Sequence, residues 1–366
     1  MSIENLKIAL VKQEVYQDLY VCSQEEKTPK NILFSSMGRV GPFGLISELN
    51  ADFIIVKEEY EKETQIYKQI IPKISEDLQL LKTQTLDKLP NQGFKKPGSI
   101  YPNGKFSISC YDIDWGKYDI VISINVSLPK KLISQYKETL FCYMIGEANL
   151  ATDKPKFGYD VTLNQMARGI VATKLGAVDF PYTFVKGDSL EKIMNESFSN
   201  IEKRGIYVEI NSSKERPAVT IPEQFKIVQS ETNETINLHQ QEIKENLLAI
   251  YKSKYYVKLG GRVTRGNGAI EAISLGTLVL MNPADIIHHE ILCKETEFKS
   301  SAELIALINH LNHHEAEYQR LLAVQRANID HYIFSTPLES LQNCLSQKRK
   351  KSKKLSLFMR IKKMLS

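Results

Sequence analysis

The chain lacks any apolar run near the ~20 residues that a membrane-crossing helix needs. Its longest apolar stretches, 118–126 and 277–281, have the length of buried strands. Cysteine is sparse as well. The five residues, Cys22, Cys110, Cys142, Cys293 and Cys344, are scattered, odd in number and without a CxxC pair. That argues against a disulfide framework or a zinc knuckle and assigns them to packing. Histidine is absent from the first 238 residues, and all seven lie at 239 or beyond. The doublets His288-His289 and His313-His314 are poor chelators, because adjacent helical residues point about 100° apart. Residues 1–10 carry Glu4 and Lys7 and lack an apolar core, so no secretory signal is expected there and the chain is expected to stay in the cytoplasm.

Charge is unevenly distributed. The net charge is +5, but residues 348–363 hold nine Lys or Arg and no acid, which leaves the rest of the chain at −4. An acidic body disfavours nucleic acid as a partner, whereas a terminal basic block suits a tether. The composition, 42% hydrophobic and 25% charged over 366 residues, suits a globular protein of two domains.

Apolar runs alternate with amphipathic stretches, which predicts an α/β fold. Strands are expected at 6–11, 32–35, 52–56, 118–126 and 140–145, with helices near 44–49, 58–86 and 129–136. The strand–helix–strand unit over 118–145 implies a parallel sheet. A helix over 189–204 ends at Gly205, and a second series follows. Its strands are expected at 206–210, 225–229, 255–259 and 278–281, and its helices at 240–251, 268–275, 301–311 and 315–332. The expected domains are 1–195 and 205–345, followed by a basic amphipathic tail over 346–366.

The most informative stretch is 258–283. Lys258 leads into a loop with Arg262, Arg265, Gly266, Asn267 and Gly268, which opens a helix carrying Glu271. Glycines let a backbone approach a ligand closely, and a helix N-terminus presents amide N–H groups and partial positive charge to an anion. Arginines make forked contacts with phosphate oxygens, and a carboxylate one turn inside the helix accepts bonds from vicinal hydroxyls. A second polar stretch, Ser212, Ser213 and Lys214 followed by Arg216 and Pro217, comes after the strand at 206–210 and also suits a diphosphate.

The run Arg265-Gly-Asn-Gly-Ala-Ile-Glu271-Ala-Ile-Ser-Leu-Gly276, followed by an apolar strand, resembles the donor-site segment of GT-B glycosyltransferases. The resemblance implies two Rossmann-like domains facing a cleft, with Glu271 holding the ribose or sugar of a nucleotide-sugar donor. It covers about 25 residues closely and the two-domain layout coarsely. One position departs from the pattern. Val263 stands where many retaining members carry a second acid, so stereochemistry stays open. The donor is expected to be a nucleoside diphosphate sugar, or a monophosphate sugar of the sialic-acid kind, with no cofactor or metal required.

A catalytic base is expected from the N-terminal domain, with Glu147, Asp114 and Asp160 as rivals. Asp112-Ile-Asp114 also matches the metal-binding D-x-D pattern of GT-A enzymes, which is the first alternative reading. A catalytically silent sugar-nucleotide-binding protein held at a membrane is the second. The glycine-rich run Gly38-Arg-Val-Gly-Pro-Phe-Gly44 is expected to turn from strand to helix and lacks the Gly-Lys-Ser/Thr of a Walker A loop. In the tail, Leu357, Phe358, Ile361, Met364 and Leu365 share one helical side, flanked by Lys354, Arg360, Lys362 and Lys363. That is the pattern of an interfacial helix on an anionic membrane. These features together suggest a bacterial enzyme, peripheral on the inner face of the cell membrane. It would transfer sugar to a glycan or lipid-linked acceptor in surface-polysaccharide or lipopolysaccharide synthesis.

Overall fold

The computed structural model describes residues 5–13, 43–56, 107–108, 110–124, 126–144, 158–164, 175–198, 201–209, 221–239, 243–261 and 263–365. Among them are two separate sheets. The first contains β1 (Ile8–Gln13), β2 (Asp52–Val56), β3 (Ser107–Ile108), β4 (Ile120–Ile124), β5 (Leu140–Met144), β6 (Val161–Asn164) and β7 (Ala177–Asp179). Their spatial order is β3-β2-β1-β4-β5-β6-β7, and every pair is parallel. The second contains β8 (Ile206–Val208), β9 (Ile236–Asn237), β10 (Tyr255–Val257) and β11 (Leu278–Leu280), in the order β11-β10-β8-β9 and again parallel. The α/β class with two Rossmann-like sheets, expected from the sequence, is the one the chain forms.

The strands are apolar on consecutive residues because both faces of each sheet are covered. Ile120, Ile122 and Ile124 enter one core, while Val121 enters another. Leu140, Cys142 and Met144 face the first, and Phe141 and Tyr143 the second. In the second sheet Tyr207, Tyr256 and Val279 share the inner core, whereas Ile206, Val208, Tyr255, Val257, Leu278 and Leu280 line an outer one. The inner core is therefore common to both sheets.

The described helices are α1 (Phe43–Ser47), α2 (Lys130–Ile133), α3 (Ser189–Ser197), α4 (Glu223–Thr232), α5 (Ile243–Lys252), α6 (Asn267–Ser274), α7 (Ser301–His313), α8 (Glu315–Asn328) and α9 (Thr336–Leu365). One expected strand, 225–229, is helix α4 instead. Pro222 occupies its N-cap, and the buried Phe225, Val228 and Thr232 recur at helical spacing. The helix expected over 189–204 stops at Ser197. The expected elements at 32–35 and 58–86 lie outside the described residues.

Gln325 of α8 closes an exposed edge. Its amide accepts from the Val279 N–H at 3.0 Å and donates to the Val279 carbonyl at 2.8 Å, so one side chain substitutes for a neighbouring strand beside β11.

The chain passes between the sheets twice. Phe184, in the segment leading to α3, stacks on Phe334 at 4.8 Å, and the Gly187 N–H donates to Asp330 at 2.9 Å. Phe334 and Asp330 belong to a π-helical turn, Ile329–Ser335, that joins α8 to α9. Gly44 in α1 donates to the Phe184 carbonyl at 2.6 Å, and a Cβ there would lie 2.7 Å from that oxygen. Arg326 and Glu191 pair alongside. Lys203 donates to the carbonyls of Tyr251 (2.6 Å) and Leu275 (2.7 Å), near the C-terminal ends of α5 and α6, and its burial pushes its pKa down to about 8.

Helix α9 changes the reading of the basic block. It is continuous from Thr336 and packs Leu338, Leu341, Cys344 and Leu345 into the inner core. Lys348 then pairs with Asp160 and donates to the Thr139 carbonyl, while Arg349 pairs with Asp119 at 2.6 Å. The block expected to be all tether therefore begins as a clamp onto the first sheet. Asp160→Ala leaves the mostly buried Lys348 ammonium without its carboxylate, and about 3–5 kcal/mol of stability should be lost. A chemical-denaturation midpoint unchanged from wild type would refute the clamp.

Candidate functional site

In a parallel sheet all carboxyl ends share one edge, and ligands bind where successive connections leave a strand in opposite directions. In the second sheet that switch lies at β8, with β9 on one side and β10 on the other. Glu209 follows β8, Lys258 follows β10, and α6 opens nearby.

The opening of α6 depends on two glycines. Gly266 is the N-cap at φ 98°, a left-handed conformation that costs a residue with a Cβ about 1–2 kcal/mol. A Cβ there would also meet the Ile286 side chain at 2.7 Å. At Gly268 a Cβ would lie 2.3 Å from the Tyr256 hydroxyl. Because Gly266 has no side chain, it cannot cap the first-turn amides, and their partial positive charge faces the switch point. The loop before the helix is held by a parallel bridge between Thr264 and Ile286, with the Thr264 N–H on the Asp285 carbonyl and the Ile287 N–H on the Thr264 carbonyl, both at 2.9 Å.

Beneath this opening is a polar layer. Glu271, one turn into α6, is only 5% exposed. Tyr207 and Tyr256 stack at 5.2 Å, and the Tyr207 hydroxyl donates to Asn246 at 2.7 Å with His239 2.8 Å away. Burial, then the charges of Glu271 and Glu209, hold the Tyr207 phenol far above its ordinary pKa. Burial, then the charge of Glu209, does the same for Tyr256, whose hydroxyl also hydrogen-bonds Glu209. Both tyrosines thus stay neutral, and Glu209 and Glu271 bring two carboxylates close to the same pair of rings. Sequence reading missed Glu209, Tyr207 and Tyr256. The available signal was a tyrosine at the centre of each strand, indistinguishable there from an ordinary core aromatic.

The expected site residues separate into groups. Gly266, Asn267, Gly268 and Glu271 come together at the opening of α6, with Arg265, partly exposed, immediately before it. Lys258 does not face the opening as a free cation. It is fully buried, donates to the Gly260 carbonyl at 2.9 Å and lies 3.7 Å from Asp285, so it secures the glycine turn. Ser212, Ser213, Lys214 and Arg262 lie outside the described residues, as does the glycine-rich run through Pro42. Val263, where a second acid would stand, is 49% exposed.

The candidate bases fare differently. Asp114 caps the short turn Trp115–Lys117, accepting from the Gly116 N–H at 2.9 Å, and both it and Asp112 precede β4. Asp160 precedes β6 and is committed to Lys348 and the Phe141 N–H. In a parallel sheet the positions just before β4 and β6, those of Asp114 and Asp160, lie at the amino edge, opposite the edge at which ligands bind. Glu147 follows β5 in sequence but lies outside the described residues.

No protein-family model matches this chain, and no curated protein matches it. Among solved structures the chain is similar to T4 phage β-glucosyltransferase with its UDP-glucose substrate, at 13% identity, TM-score 0.39, over 94% of this chain and 99% of that one. It is similar to the glycotransferase of kitacinnamycin at 10% identity, TM-score 0.38, over 93% and 99%. It is also similar to a putative UDP-N-acetylglucosamine 2-epimerase from Listeria monocytogenes at 11% identity, TM-score 0.35, over 86% and 90%. At such values the likeness decides nothing about chemistry, and the functional reading rests on the opening of α6.

Gly266→Ala should destabilise the protein by about 1–2 kcal/mol through the left-handed backbone alone. It should also weaken whatever anion binds at α6. Stability and binding equal to wild type would show that the turn does not need glycine.

Proposed function

We propose that the chain is a GT-B glycosyltransferase that binds a nucleotide sugar at the carboxyl edge of its second sheet. One observation supports this above the others: α6 opens with a glycine cap at the switch point, with Glu271 one turn behind it. In this reading the helix amides and Arg265 receive the phosphates, and Glu271 accepts from vicinal hydroxyls. As the bond to the sugar breaks, negative charge grows on the leaving phosphate. Preorganised amides and a guanidinium stabilise that charge without needing a metal. The first sheet positions the acceptor, a glycan or lipid-linked glycan of cell-surface polysaccharide or lipopolysaccharide synthesis, and supplies any base.

The metal-dependent alternative through Asp112 and Asp114 loses support from Asp114, whose carboxylate caps the turn that leads into the amino end of β4. A silent binding protein would bind nucleotide and transfer nothing. A thermal-shift panel of UDP, GDP, ADP, dTDP and CMP tests the donor site. At least one should stabilise the wild-type protein. Glu271→Gln should weaken that ligand roughly 10- to 100-fold, the worth of a charged hydrogen bond. No stabilisation by any member, or full affinity in the variant, would sink the assignment.

We also propose that the distal part of α9 rests on an anionic membrane at the cytoplasmic face. No described helix is long and apolar enough to cross one. Past Arg349, Lys350, Lys351, Lys353 and Lys354 are exposed, and Leu357 and Phe358 are 61% and 65% exposed. Each cation near such a surface contributes about 1 kcal/mol before screening. The side chains of Ile361, Met364 and Leu365 lie outside the described residues. Leu357→Glu with Phe358→Glu spares the Lys348 and Arg349 pairs, and should shift the protein from pellet to supernatant in sedimentation with phosphatidylserine vesicles. Cosedimentation equal to wild type would remove the membrane reading.

A further inference from the structure

The loop after β11 contributes a histidine that the donor-site motif does not contain. Thr264 and Ile286 form a parallel bridge, and continuing that register by two residues places His288 beside Gly266. The contact is observed: a Cβ built on Gly266 would lie 3.9 Å from the Cβ of His288. The cap of α6 and the histidine therefore occupy one corner of the second sheet.

His288 is 9% exposed, and its two ring nitrogens differ. Nδ1 is 3.2 Å from the Glu290 carboxylate. Nε2, across the ring, is buried and has no hydrogen-bond partner among the described residues. The Thr264 hydroxyl, one residue before Arg265, is likewise buried without a partner. Burying an unsatisfied polar atom costs about 1–3 kcal/mol, and two beside one helix opening indicate a polar ligand that completes them. Burial pushes the Glu290 carboxyl up, but hydrogen bonds from His288 and its own backbone outweigh this and leave it below the usual carboxylate range. Glu290 is thus ionised and suited to hold the ring by Nδ1–H, which leaves Nε2 for the ligand.

We infer that His288 is a phosphate-binding residue of the donor site. With the diphosphate bound, Nε2–H donates to one of its oxygens, Glu290 positions the ring through Nδ1, and the Thr264 hydroxyl donates to the same group. This rests on the donor-site reading above and adds to it a donor group supplied from outside the α6 motif. It sets the ligand class as a diphosphate in preference to a bare nucleoside, because the groups left open at this corner in the proposal, the α6 amides, the Thr264 hydroxyl and Nε2–H, are donors.

The test uses the full chain and isothermal titration with two probes: the nucleoside diphosphate that gives the largest shift in the panel, and its free nucleoside. His288→Gln should weaken the diphosphate at least about tenfold, as expected for loss of a charge-assisted bond, and leave nucleoside affinity unchanged. Glu290→Gln should lose affinity in the same selective way but by less. A residue that only packs would affect both probes alike. Unchanged diphosphate affinity in His288→Gln, or equal loss for both probes, overturns the assignment while the donor site stands. Failure of the wild-type chain to bind any nucleotide overturns the donor site as well. Should His288→Gln not fold, judged by circular dichroism, Glu290→Gln carries the same comparison.

Discussion

A parallel sheet carries all its carboxyl ends on one edge, and this directionality governs where chemistry can sit in the chain. Both sheets are parallel throughout their described strands. In the second sheet it directs Glu209, Lys258 and the opening of α6 to one edge. In the first it sends Asp114 and Asp160 to the opposite edge. The same rule therefore puts one set of acidic residues on the carboxyl edge and others on the amino edge, although both look equally chemical in sequence.

The inner core ties this directionality to a fixed arrangement of the sheets. Tyr207 and Tyr256 belong at once to that core and to the polar layer under α6. Their rings are packed while their hydroxyls meet Asn246 and Glu209, so the floor of the site is as rigid as the core beneath it. Gly268 is small because a tyrosine hydroxyl comes up against it. The packing of the core and the geometry of the α6 opening are thus set by the same contacts, and a substitution in this layer would disturb both.

Helix α9 shows how a charge count can conceal two roles. The nine basic residues read as one block, yet Lys348 and Arg349 are paired with Asp160 and Asp119 on the first sheet. Only past Arg349 do exposed cations and apolar side chains continue together. Removing the whole block would thus undo a clamp along with any tether. The pairing also gives Asp160, attractive as a base in sequence, a structural partner in Lys348.

Strands buried on both faces were legible because two-sided burial demands consecutive apolar residues, as in 120–124 and 140–144. The opening of α6 was legible because its glycines and Glu271 are local in sequence and the helix signal is strong. Helix α4 was misread as strand because its short apolar run fits either period, and its decision came from packing of Phe225 and Val228 in the outer core. Lys258 looked like a ligand cation until its burial and the Gly260 carbonyl gave it another task. The sequence by itself determined the parallel α/β class and the glycine-opened helix, both products of short-range pattern and backbone geometry. Only the tertiary structure decided which acids lie at a carboxyl edge and which basic residues are clamped. It alone brought His288 beside Gly266, because those facts depend on strand direction and on contacts between residues far apart in the chain.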